Sequence, residues 1–142
     1  MIPIRLIIHC SATPNLSNKF DAFDIDKWHR KRGWKSCGYH KVFKPDGEVQ
    51  DYSNSPCRSV NVPGAHVEGH NLDSLGWCLM GTNRFSEIQI EQLIEHYFSQ
   101  AYKIFNIDPK SVYGHYQFAD KECPGFEINL VRKLFEQRIK LA

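Results

Sequence analysis

From Ile4 to Cys10 the chain reads Ile-Arg-Leu-Ile-Ile-His-Cys, a nearly continuous apolar run of the kind a strand carries when both faces of its sheet are covered. Ser11-Ala12-Thr13-Pro14-Asn15 ends it and opens a polar loop reaching to about Asp21. A short helix is predicted from about Phe23 to Arg32, with Ile25 and Trp28 on its inner face, Lys27, Arg30 and Lys31 in solvent, and Gly33 as its stop. Tyr39 to Lys44 and Glu48 to Tyr52 flank Pro45-Asp46-Gly47 and predict a hairpin. Ser53 to Asn71 shows no period and contains Pro56, Pro63, Gly64 and Gly69, which suits an irregular wall of a binding cleft. Leu75 to Met80 reads as a second buried strand closed by Gly81.

Beyond it, Ser86 and Gln89 form a capping box. Ile90, Leu93, Ile94, Tyr97, Phe98, Ala101, Ile104 and Phe105 then recur at helical spacing. Ser111 to His115 predicts a short strand, and a loop runs on to Phe126. A last helix from about Leu130 to Ile139 carries Leu130, Val131, Leu134, Phe135 and Arg138 in amphipathic order. Interleaved strands and helices with one hairpin predict an α/β fold: a single domain with a mixed central β-sheet and helices packed on its faces.

Composition narrows this picture only slightly. A chain of 142 residues makes one domain and buries roughly 68–70% of its unfolded surface without staples. A net charge of +2 is too mild to imply a nucleic-acid partner and suits a nearly balanced surface. The five cysteines are odd in number and include no Cys-x-x-Cys pair, against a closed zinc knot or a full disulfide framework. Cys10 and Cys78 read as buried small hydrophobes, Cys37 and Cys57 as thiols in loops. The simplest setting is synthesis in a reducing cytoplasm. The opening segment lacks a basic leader and a cleavage site and is far too short to cross a bilayer.

The candidate chemistry lies at strand ends. His9 ends one apolar strand and His115 another, where the loops of an α/β sheet converge and ligands bind. Cys123 follows His115 in a loop. A single histidine is most often a hydrogen-bonded structural residue, but two histidines and a thiolate supply the three protein ligands of a catalytic zinc site. Lys121 is either a solvated loop charge or a stabiliser of the oxyanion formed when a carbonyl is attacked. Tyr39 is either a strand aromatic or a hydrogen-bond donor to that oxyanion. His29, His70 and His96 read as surface histidines. No acidic pair of the kind that cleaves glycosidic bonds accompanies these residues.

Several segments in order carry a resemblance: Ile7-Ile8-His9-Cys10-Ser11-Ala12-Thr13, Trp28-His29 with Gly33-Trp34, Gly38-Tyr39-His40, Pro45-Asp46-Gly47, Gly64-Ala65-His66, Asn71 with Ser74-Leu75-Gly76, Gly114-His115 and Asp120 to Phe126. The chain resembles the zinc N-acetylmuramoyl-L-alanine amidases of the phage-lysozyme type, whose domain is shared with peptidoglycan recognition proteins. The resemblance implies one Zn2+ held by His9, His115 and Cys123, and catalytic roles for Tyr39 and Lys121. It places His66 in the substrate cleft, His40 beside the catalytic tyrosine as a substrate or supporting contact, and Trp34 at the cleft rim. The implied activity is hydrolysis of the amide between N-acetylmuramic acid and L-alanine in peptidoglycan or muropeptides. The expected protein is a phage or prophage endolysin, made in the cytoplasm and acting on the wall after release. It is expected as a monomer, one catalytic domain over residues 1–142 without a separate wall-binding domain, and without membrane insertion. The rival expectation is a peptidoglycan-binding module of the same fold that does not cut.

Overall fold

The computed structural model describes residues 1–142. Its centre is a sheet of β1 (Arg5–Cys10), β2 (Lys41–Phe43), β3 (Val49–Gln50), β4 (Ser74–Leu79) and β5 (Val112–Gly114), in the spatial order β3-β2-β4-β1-β5. β1 runs parallel to β4 and β5, and β2 parallel to β4, while β3 returns antiparallel through the expected hairpin. The sheet is therefore mixed, as the hairpin among crossovers required.

Alternation along the two inner strands assigns the faces. Leu6 and Ile8 of β1 and Leu75, Trp77 and Leu79 of β4 join one cluster with Phe43, Leu93, Tyr97, Ile128, Val131 and Phe135. Helices α2 (Glu87–His96) and α3 (Ile128–Lys140) cover this face. On the other face Val42, Cys78 and Met80 pack with Ala22 and Ile25 of α1 (Ala22–Lys31) and with Cys37 and Cys57. Much of that second face is covered by the irregular stretch from Ser53 to His70 instead of a helix. Small residues make this possible: a Cβ on Gly76 would lie 2.4 Å from the His66 ring, so β4 must be bare at that position.

The helices begin where capping chemistry places them. The Asp21 carboxylate accepts from the Phe23 and Asp24 amides, and Asp24 returns a bond to the Asp21 amide. Ser86 and Gln89 form the expected reciprocal box, and the Gln89 side-chain amide also donates to the carbonyls of Phe43 and Met80, joining α2 to the sheet. The long apolar stripe does not remain α-helical throughout. Tyr97–Tyr102 forms a π-helical segment, a widened turn that accompanies face-to-face stacking of Tyr97 on Phe135, with ring centroids 3.9 Å apart.

Three sequence expectations change. Leu130 and Leu134 of α3 face solvent, at 58% and 37% exposure; the buried face is Ile128, Val131 and Phe135, because the helix starts earlier than its apolar pairs suggest and presents only one of each pair. Cys10 is only partly buried, at the edge of the cleft described below, whereas Cys37 and Cys57 are buried free thiols. His96 is half-buried, with Nδ1 3.0 Å from the Lys41 ammonium and its ring edge-on to Phe43. No helix is long and apolar enough to cross a membrane.

Candidate active site

Strand register brings distant residues together at the C-terminal ends of the parallel strands. Ile8 pairs with Gly114, so the next residues, His9 and His115, emerge side by side with ring centroids 4.7 Å apart. The loop after His115 turns back because the Tyr116 amide donates to the Cys123 carbonyl at 2.8 Å. Its thiol is then fixed on β1, where the Cys10 amide donates to Cys123 Sγ at 3.1 Å. One ligand atom each from His9, His115 and Cys123 lies within 4.8 Å of the others.

The donor set suits a single borderline metal ion. Tetrahedral zinc at ~2.0–2.3 Å holds its ligand atoms roughly 3.3–3.8 Å apart, and atoms within 4.8 Å of one another reach that range by small side-chain adjustments. Both imidazoles are held neutral: burial, reinforced by neighbouring histidines, lowers His9 well below its usual value, and burial together with Lys121 lowers His115. Without a metal, the Cys10 thiol and burial push the Cys123 thiol up, and the Cys10 amide opposes them. A cation between these groups would reverse that balance and favour the thiolate.

His115 and Cys123 lie at the floor of a cleft of about 790 Å³, and His9 is buried beside them. Tyr39, Trp34, His66 and Lys121 line it. The Tyr39 ring lies 5.1 Å from that of His9, and burial raises its phenol well above the usual value, so the hydroxyl remains a proton donor at neutral pH. Lys121 is exposed on the loop between His115 and Cys123. Trp34 stands at the rim, 36% exposed, with its ring centroid 4.5 Å from that of His29. His66 reaches the floor itself, with Nδ1 2.9 Å from His9 Nε2.

This geometry favours the supporting role over the substrate contact for His40 and changes the expectation for His29. His40 has no free nitrogen to offer a substrate: Nε2 donates to the Val62 carbonyl and Nδ1 accepts from the Gly76 amide, so the ring ties the irregular loop to β4. His29, expected on the surface, is 6% exposed, lines the cleft and accepts from the Gly38 amide through Nδ1. Its position was readable, since Ala22, Ile25 and His29 recur at helical spacing on the inner face of α1. Arg32, Glu68 and Phe118 also line the cleft, and nothing in their local sequence signals it.

Comparison with known proteins agrees with this architecture. The endolysin of Enterobacteria phage K11 is 30% identical over 135 residues, covering 87% of this chain and 82% of that protein. The endolysin of Escherichia phage T7 is 29% identical over 131 residues, covering 87% and 81%. Drosophila melanogaster peptidoglycan-recognition protein LB is 33% identical over 121 residues, covering 82% of this chain and 49% of that protein. Among solved structures, the N-acetylmuramoyl-L-alanine amidase LysC from Clostridium intestinale URNW shares the fold with a TM-score of 0.80 at 22% identity, covering 96% of this chain and 85% of that one. Residues 2–126 match the N-acetylmuramoyl-L-alanine amidase family as a whole, and with a cleft of this construction at the strand ends the chain belongs to that family.

Proposed function

We propose that this protein is a zinc-dependent N-acetylmuramoyl-L-alanine amidase of the endolysin type, hydrolysing the amide between the lactyl group of N-acetylmuramic acid and the L-alanine of the stem peptide. The observation that carries the reading is the convergence of His9, His115 and Cys123 within 4.8 Å, two of them lining an open cleft, in a chain of the amidase family. The relatives' names, endolysin and peptidoglycan-recognition protein, point to the same polymer.

In this reading His9, His115 and Cys123 hold the ion, which when bound supplies Lewis acidity and acidifies water. Tyr39, kept protonated by burial, donates a hydrogen bond to the carbonyl oxygen as negative charge gathers on it. Lys121 brings its ammonium to the same oxygen from the loop before Cys123, and such donors act most strongly in the transition state. Trp34 offers an apolar face at the rim for sugar or peptide. The irregular segment around His66 forms part of the cleft wall.

The test is digestion of purified peptidoglycan of known composition. The enzyme is expected to liberate new L-alanine amino termini and to leave the glycan chains uncut, with one zinc per chain by elemental analysis. Cys123→Ser is expected to lose metal and activity together. Binding to the wall without release of peptide would favour a recognition module, and new reducing ends without amino termini would refute the amidase.

A further inference from the structure

The His9 imidazole is not held by the strand alone. Its Nε2 lies 2.9 Å from Nδ1 of His66, and a chain of hydrogen bonds continues from there into the protein. His66 Nε2 lies 3.3 Å from Ser74 Oγ, and Ser74 Oγ lies 2.6 Å from the His70 carbonyl oxygen. We infer that His66 is a positioning residue for His9, the first group of a relay through Ser74 to the His70 carbonyl that fixes which nitrogen of His9 keeps a free lone pair. The inference rests on the reading of His9 as a metal ligand.

The direction of every bond in the relay follows from its far end. A carbonyl oxygen only accepts, so the single proton of Ser74 Oγ is committed to His70. Ser74 can then only accept from His66, which places the His66 proton on Nε2. A neutral His66 has its lone pair on Nδ1 and accepts from His9 Nε2–H. A neutral His9 then carries its free lone pair on Nδ1, the nitrogen left for a cation. Metal-binding histidines commonly donate their second nitrogen to such a partner, which sets ring orientation and raises ligand basicity.

The surroundings hold His66 in this orientation. Its ring lies in a trough bounded by two glycines: a Cβ at Gly76 would approach the ring within 2.4 Å, and one at Gly64 within 2.5 Å. Its amide and that of Val67 both donate to Asn71 Oδ1, at 3.0 and 2.9 Å, which pins the backbone on either side of the ring. The residue is 7% exposed, and both ring nitrogens are taken. A side chain placed to grip substrate would instead keep a polar atom free toward the cleft.

The experiment is zinc affinity, measured by competition with a chelator and without substrate, for the wild-type chain, His66→Leu, His66→Asn and Ser74→Ala. His66→Leu removes the acceptor and is expected to weaken zinc binding about 10–100-fold. His66→Asn, whose side-chain oxygen can take the place of Nδ1, is expected to recover most of that loss. Ser74→Ala, buried in β4 and away from the cleft, is expected to weaken binding in the same direction but less. Thermal unfolding of the metal-free variants shows which remain folded, and Ser74→Ala with His66→Asn carry the comparison should His66→Leu unfold. Wild-type zinc affinity retained in His66→Leu, or losses equal in Leu and Asn, would overturn the relay. A wild-type chain that binds no zinc would instead overturn the reading of the site.

Discussion

Around the cleft, identical residue types have been given different work by their surroundings. His9 and His115 project from strand ends toward Cys123 with burial keeping them neutral, His40 is consumed by two backbone bonds, and His29 supports the turn at Gly38. Tyr39 and Lys121 both line the cleft without a hydrogen bond to the three converging groups. That separation predicts their behaviour. Tyr39→Phe and Lys121→Ala are expected to retain one zinc per chain and wall binding, while turnover falls about 10²–10³-fold in each, the usual consequence of removing one oxyanion donor. Parallel measurement of metal content, sedimentation with sacculi and peptide release separates the three quantities. Near-normal turnover in both variants would remove them from the chemistry.

At the level of elements, each one that encodes its own boundary chemically was found where the sequence predicts it. The Ser86–Gln89 box and the Pro45-Asp46-Gly47 turn are local, so no partner is needed to read them. The facing of α3 is different, because Leu130, Val131, Leu134 and Phe135 form two adjacent apolar pairs and either member of each pair could be inward. Packing selects Val131 and Phe135, the latter stacked on Tyr97. Phe135→Ala is therefore expected to cost about 3–5 kcal/mol, whereas Leu130→Gln at a 58% exposed position is expected to change stability by no more than about 0.5 kcal/mol. Urea denaturation of the two variants checks this, and a large loss at Leu130 would reverse the assignment of faces.

Across the whole molecule, neutral histidines buried on both faces of the sheet make stability depend on pH. Burial lowers His29, His40 and His96 from 6.5 to about 4 each. In the unfolded chain these groups bind protons as the pH falls below 6.5, while the folded chain resists protonation until about 4, so acid favours unfolding. Their contribution is complete above pH 6.5 and is lost progressively as the pH falls toward 4. For His40 alone the displacement is worth roughly 3 kcal/mol. The metal-free chain is expected to show a falling thermal midpoint between pH 7 and pH 4.5, with calorimetry as the readout. A midpoint that stayed level across that interval would show that these histidines take up protons without opening the fold.

The sequence by itself determined the fold class, the strand and helix order and the segments that meet at the cleft, because apolar period, caps and turns are written within a few residues of one another. His9, Tyr39, His66, His115, Lys121 and Cys123 could be singled out by strand-end position or by family motif, and the tertiary structure gathers them around one cleft. What only the tertiary structure decided was which groups are free and which are committed. The nitrogens of His29 and His40 are assigned by amides and a carbonyl contributed from other segments. The seating of His66 depends on register between β1 and β4 and on bare glycines beneath its ring. Hydrogen-bond commitment of this kind is a property of groups brought together across the chain, 57 residues apart for His9 and His66, and no local pattern carries it.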